Sequence, residues 1–203
     1  MGKRSKQSAR CIGCRMHADR CICAAIPAIE TRTRVVLVMH HRELKKTTNT
    51  GTLAQKALVN SAIVTWGHPE EAHDDTLLAV PPGRRGLVLS PAADALPLDA
   101  ALAAADPRPV TLFVPDGSWR QAMKIPRRLP ALADLPRVTL AAGAPTAYHL
   151  REEVRSFGLA TIEAIARALG VLDGPAAQAA LEAVFDAMVA ATLATRGRAV
   201  PDA

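Results

Sequence analysis

The stretch PVTLFVPDGSWRQAMK, residues 109–124, decides the fold that the chain is expected to adopt. Its first half is a short apolar run, which predicts a buried strand. Asp-Gly then marks a turn, and the segment SWRQAMKIPRRL (118–129) starts as a helix that should kink or stop near Pro126. A buried strand that leads directly into a helix is the repeating unit of a parallel sheet.

The same alternation recurs along the rest of the chain. Besides 109–116, the predicted strands are TRVVLVMHH (33–41), AIVTW (62–66), GLVLS (86–90) and RVTLAA (137–142). The other predicted helices cover residues 52–62, 98–106 and 159–170, and Gly170 is expected to end the last of these. A long final helix follows, with Pro175 in its first turn. We therefore expect an α/β fold with a mostly parallel sheet and flanking helices, in which ligands bind beyond the carboxyl ends of the strands.

Charge and composition narrow the class of partner. The chain has 203 residues, a formal net charge of +6 and a sequence pI of about 9.5. This excess favours polyanionic partners, although general solubility explains it equally well. The basic start has no apolar region of a secretory signal behind it, and no apolar run looks long enough to cross a bilayer. We expect no membrane association and, because the cysteines are few, a reducing cytoplasm.

All the cysteines lie near the start of the chain, which suggests a separate segment over residues 1–30 and a main domain over 31–203. Cys11, Cys14, Cys21 and Cys23 follow the spacing C-x2-C-x6-C-x-C. Thiolates bind Zn²⁺ tetrahedrally, so four of them in a short loop-rich segment predict a closed, structural zinc site. The alternative is four unconnected reduced thiols.

The corner after the 109–116 strand contains more than a turn requires. Ser118 and Gln121 make the S-x-x-Q pattern of a capping box, which accounts for the hydroxyl and the amide. Turn chemistry does not explain Asp116 and Trp119. An acid at a strand end can take a proton or meet a cation, and an indole offers a flat surface to a base. The helix that follows has four basic residues on one side, namely Arg120, Lys124, Arg127 and Arg128. This basic side predicts contact with nucleic acid or, alternatively, is a solvated face.

Polar residues also follow the 33–41 strand. His40, His41 and Glu43 are candidates to line a pocket there, or they belong to a solvated loop. Asn49 and Thr50 precede a predicted helix, where they cap it or hold an anionic group. His41 and Glu43 form the H-x-E pattern of zinc deaminases, but no cysteine follows Glu43, so we reject that chemistry. The sequence contains no G-x-x-x-x-G-K-[ST], G-x-G-x-x-G or G-x-S-x-G motif, so nucleotide hydrolysis, Rossmann cofactors and α/β-hydrolase chemistry lack their usual support.

Taken together, these segments resemble the DTW-domain family of tRNA-uridine aminocarboxypropyltransferases. The matching segments are the four-cysteine motif, LVMHHRELKKTTNTG (37–51), LVLSP (87–91), LFVPDGSWRQAMK (112–124) and TAYHLREEVRSFGLATIEAIARAL (146–169). Ser118 stands where the family usually has Thr. The resemblance implies a fold related to SPOUT methyltransferases with a knotted cofactor site. It also implies transfer of the 3-amino-3-carboxypropyl group from S-adenosylmethionine to N3 of a tRNA uridine, with release of methylthioadenosine.

The resemblance also implies roles for particular residues. Asp116, Ser118 and Trp119 belong to the catalytic motif, with Asp116 either the base that takes the N3 proton or the anion beside the donor's amino group and sulfonium. An ordinary aspartate is a weak base, so burial would have to strengthen it. Trp119 would pack on the adenine or the uracil. The remaining candidates for the donor site are Leu89, Ser90, Val114, Pro115, Thr161, Tyr148 and Arg151.

Two other functions remain open at this stage. One is a SPOUT-like methyltransferase that uses the same donor on RNA, and the other is a non-catalytic zinc-ribbon protein that binds RNA. The expected partner is tRNA rather than DNA or a membrane, and the protein is expected to act as a monomer or a homodimer.

Overall fold

A computed structural model describes residues 10–143, 146 and 158–197 of the chain. Its strands and helices are β1 Arg34–His40, α1 Gly51–Ala57, β2 Ser61–Trp66, β3 Arg85–Leu89, β4 Leu96–Pro97, α2 Ala100–Ala105, β5 Val110–Asp116, α3 Trp119–Arg128, α4 Pro130–Ala133, β6 Arg137–Thr139, α5 Thr161–Leu172 and α6 Pro175–Thr195.

The strands form one sheet of six in the order β2-β1-β5-β3-β6-β4, and each neighbouring pair is parallel. The prediction of an α/β fold with a parallel sheet and flanking helices is therefore confirmed. In β1 the five residues from Val35 to Met39 have no exposed surface, and β5 is buried almost throughout. Strands covered on both faces need apolar residues at every position, which is why these two runs were conspicuous in the sequence.

Two apolar clusters cover the two faces of the sheet. Alternate residues of β1, such as Leu37 and Met39, pack with α1, α5 and α6 on one face. The residues between them, Val36 and Val38, pack with α3 and α4 on the other face. This alternation of side chains along a strand also fixes where Asp116 points, because Asp116 continues the series of Leu112 and Val114 on the α1 and α5 side.

Helix ends differ from the sequence-based prediction at three places. The helix expected over 52–62 ends at Ala57, because Leu58 adopts an extended conformation and the Ser61 hydroxyl donates to its carbonyl at 2.6 Å. Helix α3 continues through the buried Pro126 to Arg128, which brings its four basic residues onto one exposed side. The short elements β4 and α4 were not predicted, since two and four residues carry no readable periodicity.

Gly170 does not end α5, as the sequence had suggested. It lies inside the helix, where a Cβ would come within 2.0 Å of the Gln178 Oε1 on α6. The helix ends instead at Leu172, and Gly174 takes the positive φ of 104° between α5 and α6. Gly170 therefore allows close packing of the two helices, while Gly174 makes the turn.

Helix α6 corrects the expectation that no segment could span a bilayer. By length and apolar composition alone it qualifies, with a mean hydropathy of 1.3 over its most apolar window. Its side chains Leu181, Phe185 and Met188 are, however, buried against the rest of the core. Packing inside the protein therefore accounts for the apolar character of α6.

The cysteine-containing segment packs onto the same core. Cys14, Met16 and Ile22 belong to the apolar cluster that includes α6, and the Thr192 hydroxyl of α6 lies 3.5 Å from the Met16 sulfur. The division into 1–30 and 31–203 remains a prediction from sequence.

The connections after β1 and β5 leave the sheet on opposite faces. The two strands are neighbours, but the loop after β1 leads to α1 on one face of the sheet, whereas the loop after β5 leads to α3 on the opposite face. Adjacent parallel strands whose connections diverge in this way mark the place where ligands bind in open α/β sheets. Asp116 and His40 are the last residues of these two strands.

Candidate active site at the carboxyl edge of the sheet

Asp116 is the centre of the site. It is the last residue of β5, and only 5% of its surface is exposed. Its Oδ2 accepts a hydrogen bond from the Asn49 side-chain amide at 2.8 Å, and its Oδ1 accepts one from the Thr161 hydroxyl at 2.7 Å. A buried carboxylate is stable only where such donors replace water, so the site holds one fixed negative charge.

Asn49 serves two elements at once. Its side-chain oxygen accepts from the backbone N–H of Thr52 at 2.8 Å and so caps the start of α1, while its amide group holds Asp116. The cap expected from sequence is present, whereas the binding of an anionic group by the amides at this helix start stays a prediction. Gly51 makes the close approach possible, because a Cβ on it would lie 2.7 Å from Asp116 Oδ2.

The start of α5 forms the other side of the site. Thr161 is its first residue, and the side chain of Glu163 accepts the backbone N–H of Ala160 at 2.7 Å. The Glu163 carboxylate, 6% exposed, also accepts from the Thr146 hydroxyl. Thr50 links α1 to this end, since its hydroxyl accepts from the backbone N–H of Ile162 at 3.4 Å. The start of α5 therefore joins residues that are far apart in sequence, and its Thr161 hydroxyl binds the Asp116 carboxylate.

The corner after Asp116 has the predicted form in part. Ser118 is the residue before α3, and its backbone N–H donates to Gln121 Oε1 at 2.8 Å. Trp119 begins the helix and is 38% exposed. Arg120, Lys124, Arg127 and Arg128 are all exposed on one side of α3. The indole and the basic side therefore follow Asp116 directly in the chain, on a helix that packs on the face of the sheet opposite to the Asp116 side chain.

A row of rings lies at the ends of β1 and β2. The His40 ring centroid is 4.6 Å from that of His41 and 5.9 Å from that of Trp66, and the His41 centroid is 5.2 Å from that of His68. Burial, followed by the charge of His41, lowers the pKa of His40. Loss of hydration, followed by the charge of His68, lowers the pKa of His41. Both imidazoles are therefore biased to the neutral form, which suits stacking.

Glu43 stands apart from this row. It is 4% exposed and forms an ion pair with Lys46 in the loop after β1. Its backbone N–H donates to the His40 carbonyl at 2.8 Å, so the carboxylate belongs to a tight turn.

The expected wall residues lie where strands end, as their positions in the sequence required. Leu89 ends β3 and Ser90, 6% exposed, follows it, while Val114 and Pro115 precede Asp116 in β5. Tyr148 and Arg151 lie outside the described residues. One cavity lies at Asn49 beside the cysteine segment and another at the amino ends of β1, β3 and β5, and Asp116 and Trp119 line neither of these two.

The four cysteines form a compact cluster that fits a metal ion. Their sulfurs all lie within 4.8 Å of one another, and the Cys11 sulfur is 3.5 Å from that of Cys23 and 3.4 Å from that of Cys21. Four thiolates at the Zn–S distance of about 2.3 Å would be separated by about 3.8 Å. The backbone N–H of Cys14, with the neighbouring thiols, lowers the pKa of Cys11 to about 6. The donor set is therefore suited to a tetrahedral ion.

Sequence reasoning missed three contributors to these sites. Gly51 was readable as a glycine at a helix start, but its contact with Asp116 depends on pairing across 65 residues. Trp66 and His68 carried no motif, since a strand-end tryptophan and a loop histidine are common. Their role became visible only when β2 was placed beside β1.

The chain belongs to the DTW-domain family, whose model matches residues 8–193. A curated relative, the tRNA-uridine aminocarboxypropyltransferase 2 of Drosophila melanogaster, is 28% identical over 169 residues, which are 81% of this chain. The match covers 66% of that relative, just under two thirds of its length. No solved structure matches the chain.

Proposed function

We propose that the protein transfers the 3-amino-3-carboxypropyl group of S-adenosylmethionine to N3 of a uridine in tRNA. Membership of the DTW-domain family and the name of the Drosophila relative support this proposal. The observation that carries it is the buried Asp116 carboxylate, held by Asn49 and Thr161 at the strand ends where ligands bind in open α/β sheets.

The reaction depends mainly on how the donor is positioned relative to the nucleophile. A sulfonium has three electrophilic carbons, and the one that reacts is the one held in line with the nucleophile. Transfer forms a bond between N3 and the terminal carbon of the aminocarboxypropyl group, while the bond from that carbon to sulfur breaks. The N3 proton leaves as H⁺, and methylthioadenosine is the other product.

Asp116 suits the role of a fixed anion. Its two hydrogen-bond donors stabilise the charged carboxylate, and burial excludes the water that would weaken its attraction for a cation. We therefore propose that Asp116 lies against the donor's ammonium or sulfonium group. If Asp116 were the base instead, its removal would slow the chemical step and leave the affinity for the donor unchanged.

The donor site is proposed to be SPOUT-like and knotted. Leu89, Ser90, Val114, Pro115 and Thr161 would line it, together with Tyr148 and Arg151, as the family resemblance implies. An arginine recognises a carboxylate or a phosphate equally well through paired N–H groups.

The RNA is proposed to approach along α3 and the row of rings. The exposed basic side of α3 can contact phosphates, and Trp119 with the imidazoles of His40 and His41 can stack on unpaired bases. A uridine inside folded RNA must be exposed or flipped to reach Asp116. Zn²⁺ on the four cysteines is proposed to be structural, and a reducing cytoplasm would keep those thiols available.

The decisive experiment is mass analysis of the nucleosides after incubation with tRNA and S-adenosylmethionine. We expect a uridine that carries the aminocarboxypropyl group and an equal amount of methylthioadenosine. Asp116→Asn keeps the shape and removes the charge, so it should abolish product, whereas Asp134→Asn changes an exposed acid on the other face and should not. A gain of one methyl group would favour the methyltransferase alternative. Bound but unmodified RNA would favour the non-catalytic one.

A further inference from the structure

Arg15 has a backbone conformation that its residue type disfavours. Its φ is +62°, and among the non-glycine residues that the structure describes it alone has a positive φ. It follows Cys14 in the first cysteine turn, where its backbone N–H donates to the Cys11 carbonyl at 2.9 Å. A glycine would adopt this conformation without strain, so the side chain of Arg15 requires an explanation.

The side chain leaves the cysteine segment and reaches the loop after β1. Its Nη1 donates a hydrogen bond to the backbone carbonyl of Leu44. Arg10 braces the same residue, because its guanidinium donates to the Arg15 carbonyl at 2.9 Å. Arg15 is thus fixed at its backbone by the cysteine turn and at its tip by residue 44.

The loop that Arg15 contacts leads directly to Asp116. It is a series of turns in which the backbone N–H of Glu43 donates to His40 at 2.8 Å, that of Lys46 to Glu43 at 3.0 Å, and that of Asn49 to Lys46 at 3.2 Å. Asn49, at the end of the series, donates its amide to Asp116. The Leu44 carbonyl lies in the middle of this series, so a contact there restrains both ends.

A small cavity separates the cysteine segment from the end of the loop. Cys14, Arg15 and Met16 line one side of it, and Thr47, Asn49 and Thr52 line the other. The two segments are therefore neighbours across open space near Asn49. The bond from Arg15 to Leu44 is a polar bridge between them.

We infer that Arg15 is a positioning residue that transmits the order of the metal-bound cysteine segment to the loop of residues 41–50, and through Asn49 to Asp116. A glycine at residue 15 would relieve the backbone strain but could not donate to the Leu44 carbonyl, and this is the contact that the arginine supplies. The consequence for catalysis rests on the proposed function, whereas the coupling of metal to loop does not.

The test compares Arg15→Gly with Arg15→Lys in the zinc-loaded protein. Glycine removes the strain and the bridge together, so zinc should bind at least as tightly as in the wild type. The amides of Lys46, Asn49 and Thr52 should nevertheless exchange with solvent about tenfold faster. Lysine keeps a charged donor and should restore slow exchange in part. Arg20→Ala removes an exposed charge from the same segment and should change neither quantity.

Removal of zinc by a chelator allows a comparison of the wild type and Arg15→Gly, each with and without the metal. It should accelerate exchange at these amides in the wild type and add little in Arg15→Gly, where the bridge is already lost. Unchanged exchange in Arg15→Gly, or equal acceleration by the chelator in both proteins, would overturn the inference. A purely structural role in the cysteine turn predicts the opposite pattern, namely altered zinc affinity with a normal loop.

The failure of the inference is distinguishable from failure of the proposed function. Exchange and zinc affinity are measured without RNA or donor, so a negative product analysis leaves them intact. Where the transfer does occur, Arg15→Gly should raise the dissociation constant of S-adenosylmethionine several-fold, since Asp116 is less well held.

Discussion

Asp116 shows what a single carboxylate needs in order to remain charged at a covered sheet edge. Burial opposes its charge, and the amide of Asn49 and the hydroxyl of Thr161 compensate for the lost water. A hydrogen bond to a charged group stabilises a protein by about 1.5–3 kcal/mol. The stabilisation from these two hydrogen bonds is therefore comparable with the free-energy cost of burying the carboxylate. Removal of either donor should lower the free energy of unfolding.

Thr161→Val replaces the hydroxyl with a methyl group of similar size. We expect it to lower the free energy of unfolding by about 1–3 kcal/mol, because one oxygen of a buried carboxylate loses its donor. Urea denaturation measures the change, which should shift the midpoint without altering the slope. Thr161→Ser keeps the donor and should lie close to the wild type. A loss in Thr161→Ser with none in Thr161→Val would show that the methyl group, not the hydroxyl, matters.

His40 and His41 should make stability fall on acidification. Burial lowers the pKa of His40, and lost hydration lowers that of His41, so the unfolded chain binds protons at a higher pH than the folded one. Their contribution is complete above the unfolded pKa of about 6.5 and is lost as the pH falls below it. Histidine resonances followed by NMR should report both values, and His40→Gln should flatten the pH dependence. Titration of both rings at or above 6.5 would contradict the prediction.

At this scale the sequence revealed the chemical groups but not their partners. The DGSW corner identified Asp116 because an acid beyond a buried strand has few structural reasons to be there. Asn49 and Thr161 were also candidates, yet their convergence depends on contacts across 67 and 45 residues. The strain at Arg15 was unreadable, since φ is a property of the folded chain.

The elements were predictable in proportion to their burial. Strands β1 and β5 have largely apolar interiors because helices cover both of their faces, and such runs stand out in a sequence. Helix ends were less predictable, because one residue type serves several purposes. The glycine inside α5 and the glycine after it illustrate this: Gly170 allows α6 to approach, and Gly174 makes the turn.

Alanine at these two glycines should therefore have different effects. Gly174→Ala meets no neighbouring atom but forces an L-residue to φ 104°, so we expect a loss of about 1–3 kcal/mol in the free energy of unfolding. Gly170→Ala should cost less than about 1 kcal/mol. The atom closest to its Cβ is the end of the flexible Gln178 side chain, and alanine favours helix by about 1 kcal/mol. Thermal or urea unfolding compares the two, and the reverse order would contradict the assignment of the turn to Gly174.

For the whole molecule, the packing of the cysteine segment on the core has a consequence for stability. Cys14, Met16 and Ile22 are buried in the core that α6 completes, so a metal that orders this segment should stabilise the entire chain.

Removal of zinc should therefore lower the melting temperature of the protein by on the order of 5–10 °C. Calorimetry with and without chelator, under reducing conditions, measures the shift, and elemental analysis should give one zinc per chain. Cys11→Ser should melt like the chelated protein and respond no further to chelator. Ile12→Ser, at a residue 99% exposed between two ligands, should behave like the wild type. Protein that is purified without zinc and whose melting temperature does not change when zinc is added would contradict the predicted zinc site.

The strand order has a consequence for synthesis of the chain. β1 pairs with β2, which follows it closely, but its other neighbour is β5, so that Arg34 lies beside Thr111. During translation the first unit of strand, helix and parallel strand keeps one edge of β1 unpaired until the fifth strand leaves the ribosome. Unpaired edges of apolar strands attract one another. The nascent chain is therefore most vulnerable to self-association while residues 67–110 are being made, and a chaperone that covers the β1 edge would help most in that interval.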